Sequence, residues 1–528
     1  MRDLLPRHLP DIVRRPQSKK KARRGDSGPV EADICLILEA TYPYVSGGVS
    51  SWVHDLVTSL SDMTFALVCL QTKGMEREHK YEVPDNVVEI SDVYLHELPA
   101  GRPFFEPRKR FFETLKQPLM AIQAGGGLSD IEALIDLIAP LRSALGEESL
   151  MGSPRCWQML QDMYLETQPT SPFLEYFWTW RGLYGPVFAV LLAPLPKCRV
   201  YHTVSTGYAG VMAARAAVET GRPTIVTEHG IYTNERRIEI TLADWIYESE
   251  RGTLSLDLTV PTLKDMWKNS FLTYSNACYQ ASTTIYTIYH GNQRLQLADG
   301  ADSAKMTVIP NGIDLERFAN LERSADNPRP TIALVGRVVT IKDIKTFIRA
   351  CGVLQTQILD LQAWIMGPTD EEEDYYQECV DLVRQEGLES VVSFTGRVNL
   401  VDYFPHIDVV VLTSISEGQP LVLLEAGAAG IPCVATDVGA CWELIMGRAD
   451  EDPQLGPGGV VTSLSSPAAT ADGIRRLLQD RDFYTACSVA MRERTRIYYN
   501  KRDMVDAYRA AYRDHMALPD RRPAAEAA

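Results

Sequence analysis

The chemistry most legible in this chain lies in Ser416-Glu417-Gly418-Gln419-Pro420-Leu421-Val422-Leu423-Leu424-Glu425, where two glutamates eight positions apart bracket a glycine turn and the start of an apolar helix. The run before it, Asp408 to Leu412, reads as a fully buried strand, so Glu417 and Gly418 fall just past a strand's carboxyl end, where open α/β sheets bind ligands. A helix beginning near Pro420 turns free backbone N–H groups toward the same point. Those groups and the helix dipole favour an anion such as a diphosphate, and Glu425, about two turns in, can accept hydrogen bonds from ribose hydroxyls. The arrangement suits a nucleotide sugar; two exposed glutamates flanking a helix would leave the same pattern.

A second buried run, Thr331 to Val335, leads into Gly336-Arg337 and then Lys342, just before a helical stretch beginning near Asp343. Both cations stand where a strand ends, so they are expected to converge on phosphate at the carboxyl edge of the sheet. Nearer the amino terminus, Gly47-Gly48 separates a strand, Asp33 to Leu38, from an amphipathic helix of about Ser50 to Leu60. Without Cβ atoms these glycines let a sugar or phosphate approach the backbone beside a helix N-terminus, although a plain βα turn needs nothing more. His229 follows a strand, Pro223 to Thr227, and precedes Gly230. His202 ends another strand and is placed toward an interdomain cleft, while His54, on the first helix, reads as exposed.

Gly336-Arg337, Lys342, and the Glu417 and Glu425 pair followed by Ala426-Gly427-Ala428-Ala429-Gly430-Ile431-Pro432 resemble the donor half of retaining family-4 glycosyltransferases of the GT-B fold. Leu38 to His54, with Gly47-Gly48 at its centre, and Thr227-Glu228-His229-Gly230-Ile231-Tyr232 more narrowly resemble the PelF type, the glycosyltransferase family of Pel exopolysaccharide synthesis. The resemblance runs from about Asp33 to Tyr512. It implies two Rossmann-like doubly wound domains facing a cleft and a UDP-sugar donor. It also implies a glycan acceptor, retention of anomeric configuration, no cofactor and no metal.

The same resemblance makes Arg337, Lys342, Glu417 and His229 the catalytic set, with His229 hydrogen-bonded to a sugar hydroxyl. Donor contacts would come from Gly47, Gly48, Gly418, Gln419, Pro420, Leu421, Val422 and Glu425, together with Arg397 and Val398. The chain departs from the family at Gln419-Pro420, where many members carry an aromatic residue. An epimerase of the same fold and a non-catalytic UDP-binding scaffold of a synthase complex fit the same residues and stand as alternatives.

At 528 residues the chain exceeds one compact core. Residues 1–30 form a basic tail with nine Lys or Arg against three Asp, expected to be disordered; the net charge of −16 therefore leaves −22 on the remainder. A body that acidic is a poor nucleic-acid binder and must hold an anionic donor with local cations. Ten cysteines lack CxxC spacing, which reads as reduced thiols in cytoplasm. No apolar run reaches the roughly 20 residues of a membrane span, so the expected location is cytoplasmic, with contact of the basic tail with the inner face of the membrane left open; the resemblance implies membrane-embedded polysaccharide synthase subunits as partners.

The elements that must position these residues follow from periodicity. Strands are predicted at Phe65 to Leu70, Arg199 to His202, Thr224 to Thr227, Thr284 to Thr287 and Thr307 to Ile309, then at Ala363 to Met366, Val391 to Phe394 and Cys433 to Ala435. The first domain is set at 31–325, with a helical insertion over about 100–195 whose aromatic residues read as core. The donor domain is set at 326–494. A helix over 495–515 crosses back to the first domain, and 516–528 form a disordered tail. The acidic run Asp370 to Asp374 is expected to be a solvated helix start rather than a metal site.

Overall fold

The computed structural model describes residues 31–519, apart from 73–77, 104, 106, 244, 247–260, 322 and 325–328. The basic tail, residues 520–528 and part of the charged stretch at 319–330 lie outside the described residues. Short apolar runs alternate with helices along the chain, and because each crossover returns in the same direction the strands pair in parallel.

The first seven strands are β1 (Ala32–Glu39), β2 (Phe65–Gln71), β3 (Val87–Tyr94), β4 (Cys198–Thr203), β5 (Thr224–Glu228), β6 (Thr284–Thr287) and β7 (Met306–Val308). They form one sheet in the order β3-β2-β1-β4-β5-β6-β7. The other six are β8 (Thr331–Val335), β9 (Gln362–Met366), β10 (Val392–Gly396), β11 (Val409–Leu412), β12 (Cys433–Thr436) and β13 (Gly459–Thr462), in the order β10-β9-β8-β11-β12-β13. Both sheets are doubly wound, as the resemblance implied. The winding reverses between β1 and β4 in the first and between β8 and β11 in the second, which opens a crevice at each carboxyl edge. Val409 lies beside Ile332 and Val411 beside Leu334, so β8 and β11 end level and their loops are neighbours.

Two strands escaped the sequence reading. β3 alternates half-buried with exposed residues at the sheet's edge, so it lacks a buried run. β13 is only Gly459 to Thr462, too short to stand out. The helix predicted from Ser50 starts at Gly48. Between β3 and β4 the chain forms helices Lys109–Ala124, Leu128–Ile138, Pro154–Thr167 and Phe173–Leu192. Phe111, Phe112, Tyr176 and Trp180 from these helices pack into a core against one face of the first sheet. Trp157 and Trp178 do not, and remain about half exposed.

The other face of the first sheet is covered by helices Gly48–Ser59 and Lys501–Ala517, the latter extending into residues expected to be tail. His202 is fully buried beneath this last helix, its Nδ1 2.7 Å from the Tyr512 hydroxyl and its Nε2 2.9 Å from Thr227 Oγ1. The cleft placement expected for His202 is therefore incorrect: it is a packing residue, held neutral by burial that lowers its pKa to about 3. His54 is not free in solvent either. Its ring lies between Tyr42 and Tyr81, with Nδ1 3.4 Å from the Tyr42 hydroxyl.

The chain crosses between the domains twice, side by side. Ile313 N–H donates to Tyr499 O at 2.9 Å, and Lys501 N–H donates to Ile313 O at 3.0 Å. A Cβ on Gly312 would sit 2.5 Å from Lys501 Cα, so only glycine permits this approach. Among the described residues no helix is long and apolar enough to cross a membrane, all ten cysteines are buried and unpaired, and no His/Cys/Asp/Glu group could hold a metal ion.

Candidate active site

The loops after β8 and β11 build the centre of the site. Lys342 Nζ lies 2.5 Å from Glu417 Oε1, with both side chains largely buried, and Ser414 Oγ donates to the same oxygen at 2.5 Å. Two more bonds fix the loops: Thr413 Oγ1 donates to Asp343 O at 2.9 Å and Ile415 N–H to Ile341 O at 2.9 Å. Thr413 and Ser414 were missed in the sequence. Their signal is a pair of small hydroxyls directly after the buried run Val409 to Leu412.

Arg337 has a different partner from Lys342. Its guanidinium contacts Glu371 at 2.5 Å, both side chains about half exposed, while Glu372 accepts from Thr340 N–H and Oγ1 at 2.9 and 2.7 Å. The acidic run opens a helix at Glu373 with its carboxylates largely in solvent, and in addition Glu371 and Glu372 brace the loop after β8. Those bonds hold the Glu372 carboxyl below its usual range. The exposed Arg337 pair is weak enough for an anion to displace. A Cβ on Gly367 would collide with Gly336 O, so β9 must end in glycine for the β8 loop to pass.

Helix Leu421–Ala428 starts after Pro420 with no side-chain cap, leaving the amides of Leu421 and Val422 in its first turn to attract an anion. On its second turn Glu425 is half-buried, and burial raises its pKa to about 7, with Arg317 opposing the shift. No protein group donates to this carboxylate among the described residues. Gly439, at φ +54°, lies under the turn: a Cβ there would collide with the carbonyl oxygens of Glu417 and Gly418. Arg397 is exposed and Val398 half-buried just past β10, on the same edge of the sheet but two strands from β8.

The first domain closes over this loop. A Cβ on Gly418 would lie 2.6 Å from His229 O, so the donor turn touches the end of β5 directly. His229 packs edge-on against Trp52, ring centroids 4.7 Å apart; burial lowers its pKa to about 4, and its Nε2 is buried without a partner. A neutral imidazole with a free nitrogen is equipped to hydrogen-bond a hydroxyl. Gly47 and Gly48 face open space, with nothing within 4 Å of a Cβ on either. Gln419 is buried, its Oε1 accepts from Asn311 N–H at 2.7 Å, tying this loop to the interdomain crossing, and its Nε2 has no partner. Asn311, the donor in that bond, was also missed.

Over 193 residues the chain is 33% identical to the D-inositol 3-phosphate glycosyltransferase of Paenarthrobacter aurescens strain TC1, covering 34% of this chain and 45% of that protein. It is 30% identical over 192 residues to the lipopolysaccharide core biosynthesis mannosyltransferase LpsB of Rhizobium meliloti strain 1021, covering 34% of this chain and 53% of that protein. The chain thus spans about half the length of the curated relatives it matches. Its structure resembles sucrose-phosphate synthase from Thermosynechococcus elongatus, with a TM-score of 0.56 at 16% identity over 92% of this chain and 99% of that one. Anabaena HepE, solved in complex with UDP, gives a TM-score of 0.57 at 13% identity over 91% and 100%. At such identities the likeness is one of fold, and that fold is GT-B. The chain belongs to the family described as Domain of unknown function (DUF3492), matched over residues 32–304, here joined to a module described as Glycosyl transferases group 1, matched over residues 329–480.

Proposed function

We propose that this chain is a UDP-sugar-dependent hexosyltransferase of the PelF type. It adds a hexosyl unit from UDP-glucose or UDP-N-acetylhexosamine to a growing polysaccharide, with retention at the anomeric carbon. The observation that carries the reading is Glu425: a half-buried carboxylate without a protein donor, on the second turn of an uncapped helix that follows the Lys342-clamped Glu417. Partial burial without a donor disfavours the charged carboxylate, which a ribose placed there would relieve. Burial of the ribose at Glu425 puts the diphosphate at the amides of Leu421 and Val422, within the field of Lys342, and the sugar toward Glu417 and His229.

In transfer, an acceptor hydroxyl oxygen bonds to the anomeric carbon as the bond from that carbon to the β-phosphate oxygen breaks. The acceptor proton passes to the departing phosphate on the same face. Lys342 and Arg337 stabilise the leaving charge, a role a divalent ion fills elsewhere, so no metal is required. His229 orients the sugar rather than moving protons, because burial that lowers its pKa to about 4 leaves it a weak base. Polymer made this way must leave the cell, which supports action at the inner face of the membrane beside embedded synthase subunits.

Calorimetric titration with UDP, GDP and ADP tests the reading. Selective UDP binding that is lost in Glu425→Ala is the expected result; preference for another base overturns the donor assignment.

A further inference from the structure

One contact between the domains plays no part in the site as described. Glu443 belongs to the short helix Cys441–Met446 of the second domain, and its carboxylate reaches the N-terminus of helix His290–Ala298 in the first. Its Oε1 accepts from Gly291 N–H at 2.9 Å, while its Oε2 accepts from His290 N–H at 3.3 Å and lies 3.1 Å from His290 Nδ1. No side chain of the first domain caps that helix, so the cap is supplied across the domain boundary. The Glu443 side chain is only 17% exposed, while His290 at the rim of the contact is 42% exposed. Beside them Ile288 and Tyr289 pack into the apolar core of the second domain together with Leu423, Cys441 and Leu444.

This contact is joined to the reaction centre by very few bonds. Helix Cys441–Met446 is preceded by Ala440, whose N–H donates to Gly418 O at 2.8 Å, and by Gly439, pressed beneath Glu417. Gly418 in turn touches His229 O. Pulling on Glu443 therefore pulls on the turn carrying Glu417, and releasing it frees β6 and the neighbouring β5 end, with His229, to draw away from that turn.

We propose that Glu443 is a positioning residue, an interdomain clasp that holds the closed arrangement in which the donor turn meets His229. It contacts neither donor nor acceptor. Its effect on transfer rests on the glycosyltransferase reading above; its effect on closure does not. Two of its three contacts come from backbone N–H groups, so they survive any change of the His290 side chain. Glu443→Ala removes all three, and Glu443→Gln keeps one oxygen acceptor and restores part of the grip.

The test compares the full chain with Glu443→Ala, Glu443→Gln and His290→Ala. Small-angle scattering, with and without UDP, reads the spread of domain separations; parallel titrations and initial rates read UDP affinity and transfer. Glu443→Ala is expected to broaden the distribution and to lower turnover roughly tenfold or more, since small misplacements of reacting groups are costly. UDP affinity should stay within about twofold, because the nucleotide sits on the second domain alone. Glu443→Gln should fall between, and His290→Ala should match the unmodified chain. Unchanged scattering in a folded Glu443→Ala overturns the clasp, and broadened scattering with unchanged turnover overturns its positioning role in transfer. If the unmodified chain neither binds UDP nor transfers sugar, the functional reading fails, while the scattering still decides whether Glu443 holds the domains closed.

Discussion

On the proposed reading Lys342 and Glu425 divide the work of donor recognition between charge and hydrogen bonding, and each makes a separable prediction. Lys342 stabilises charge that develops as the sugar departs, so Lys342→Ala should cut transfer on the order of 10²-fold, far more than it weakens UDP binding. Initial rates against calorimetric affinity distinguish the two effects. Glu425 accepts most strongly from ribose when ionised, and burial has raised its pKa to about 7. UDP affinity should therefore strengthen as pH rises through about 7 in the unmodified chain, and this component should vanish in Glu425→Gln. Titration of the nucleotide's own phosphate appears in both proteins and cancels in their difference. Glu417→Ala behaves differently again: its carboxylate is engaged by Lys342 and Ser414, so its loss should damage transfer while UDP still binds.

At the scale of elements, strands carry the site and helices lock it. The last helix is fastened to the first sheet by the Tyr512 hydroxyl on His202 and the Tyr508 hydroxyl, 3.1 Å from Thr227 Oγ1. Tyr512→Phe leaves a buried imidazole nitrogen without its partner and should cost about 1–3 kcal/mol, read from chemical denaturation. What was legible in the sequence follows the same division. Buried runs such as Val409 to Leu412 and Thr331 to Val335 announce themselves by composition, so the carboxyl edges bearing Glu417 and Lys342 could be placed from letters alone. β3 could not, because an edge strand half in water resembles a loop. Partners distant along the chain were equally silent: nothing near Arg337 points to Glu371, and nothing near Gln419 points to Asn311. His202 ends a strand, as a cleft residue would, and only the packing of the last helix shows that it is core.

Across the whole molecule, buried ionisable groups oppose one another, and their balance sets how stability follows pH. His202 and His229 are held at about 3 and about 4 from an ordinary 6.5, so between those values the unfolded chain binds more protons and stability rises with pH. Glu228, buried under Tyr279, Gln296 and Thr206, and Glu425 are both raised from 4.5 to about 7. For them the folded chain binds more protons in that window, and stability falls as pH rises. From 4.5 to 6.5 two groups pull each way, so together these four contribute little slope; below 4.5 the histidines alone remain and acid destabilises. Glu425→Gln removes one of the opposing carboxylates without touching the others. Its stability relative to the unmodified chain should climb as pH rises from 4.5 to about 7. The gain per pH unit is bounded at about 1.4 kcal/mol, less whatever solvent screens at this partly exposed side chain. Urea unfolding of both proteins at a series of pH values measures that difference directly. A flat difference would mean that Glu425 ionises normally and that burial does not strain it. A rising one would show that the unliganded protein carries a destabilising carboxylate, which the proposed ribose contact would require.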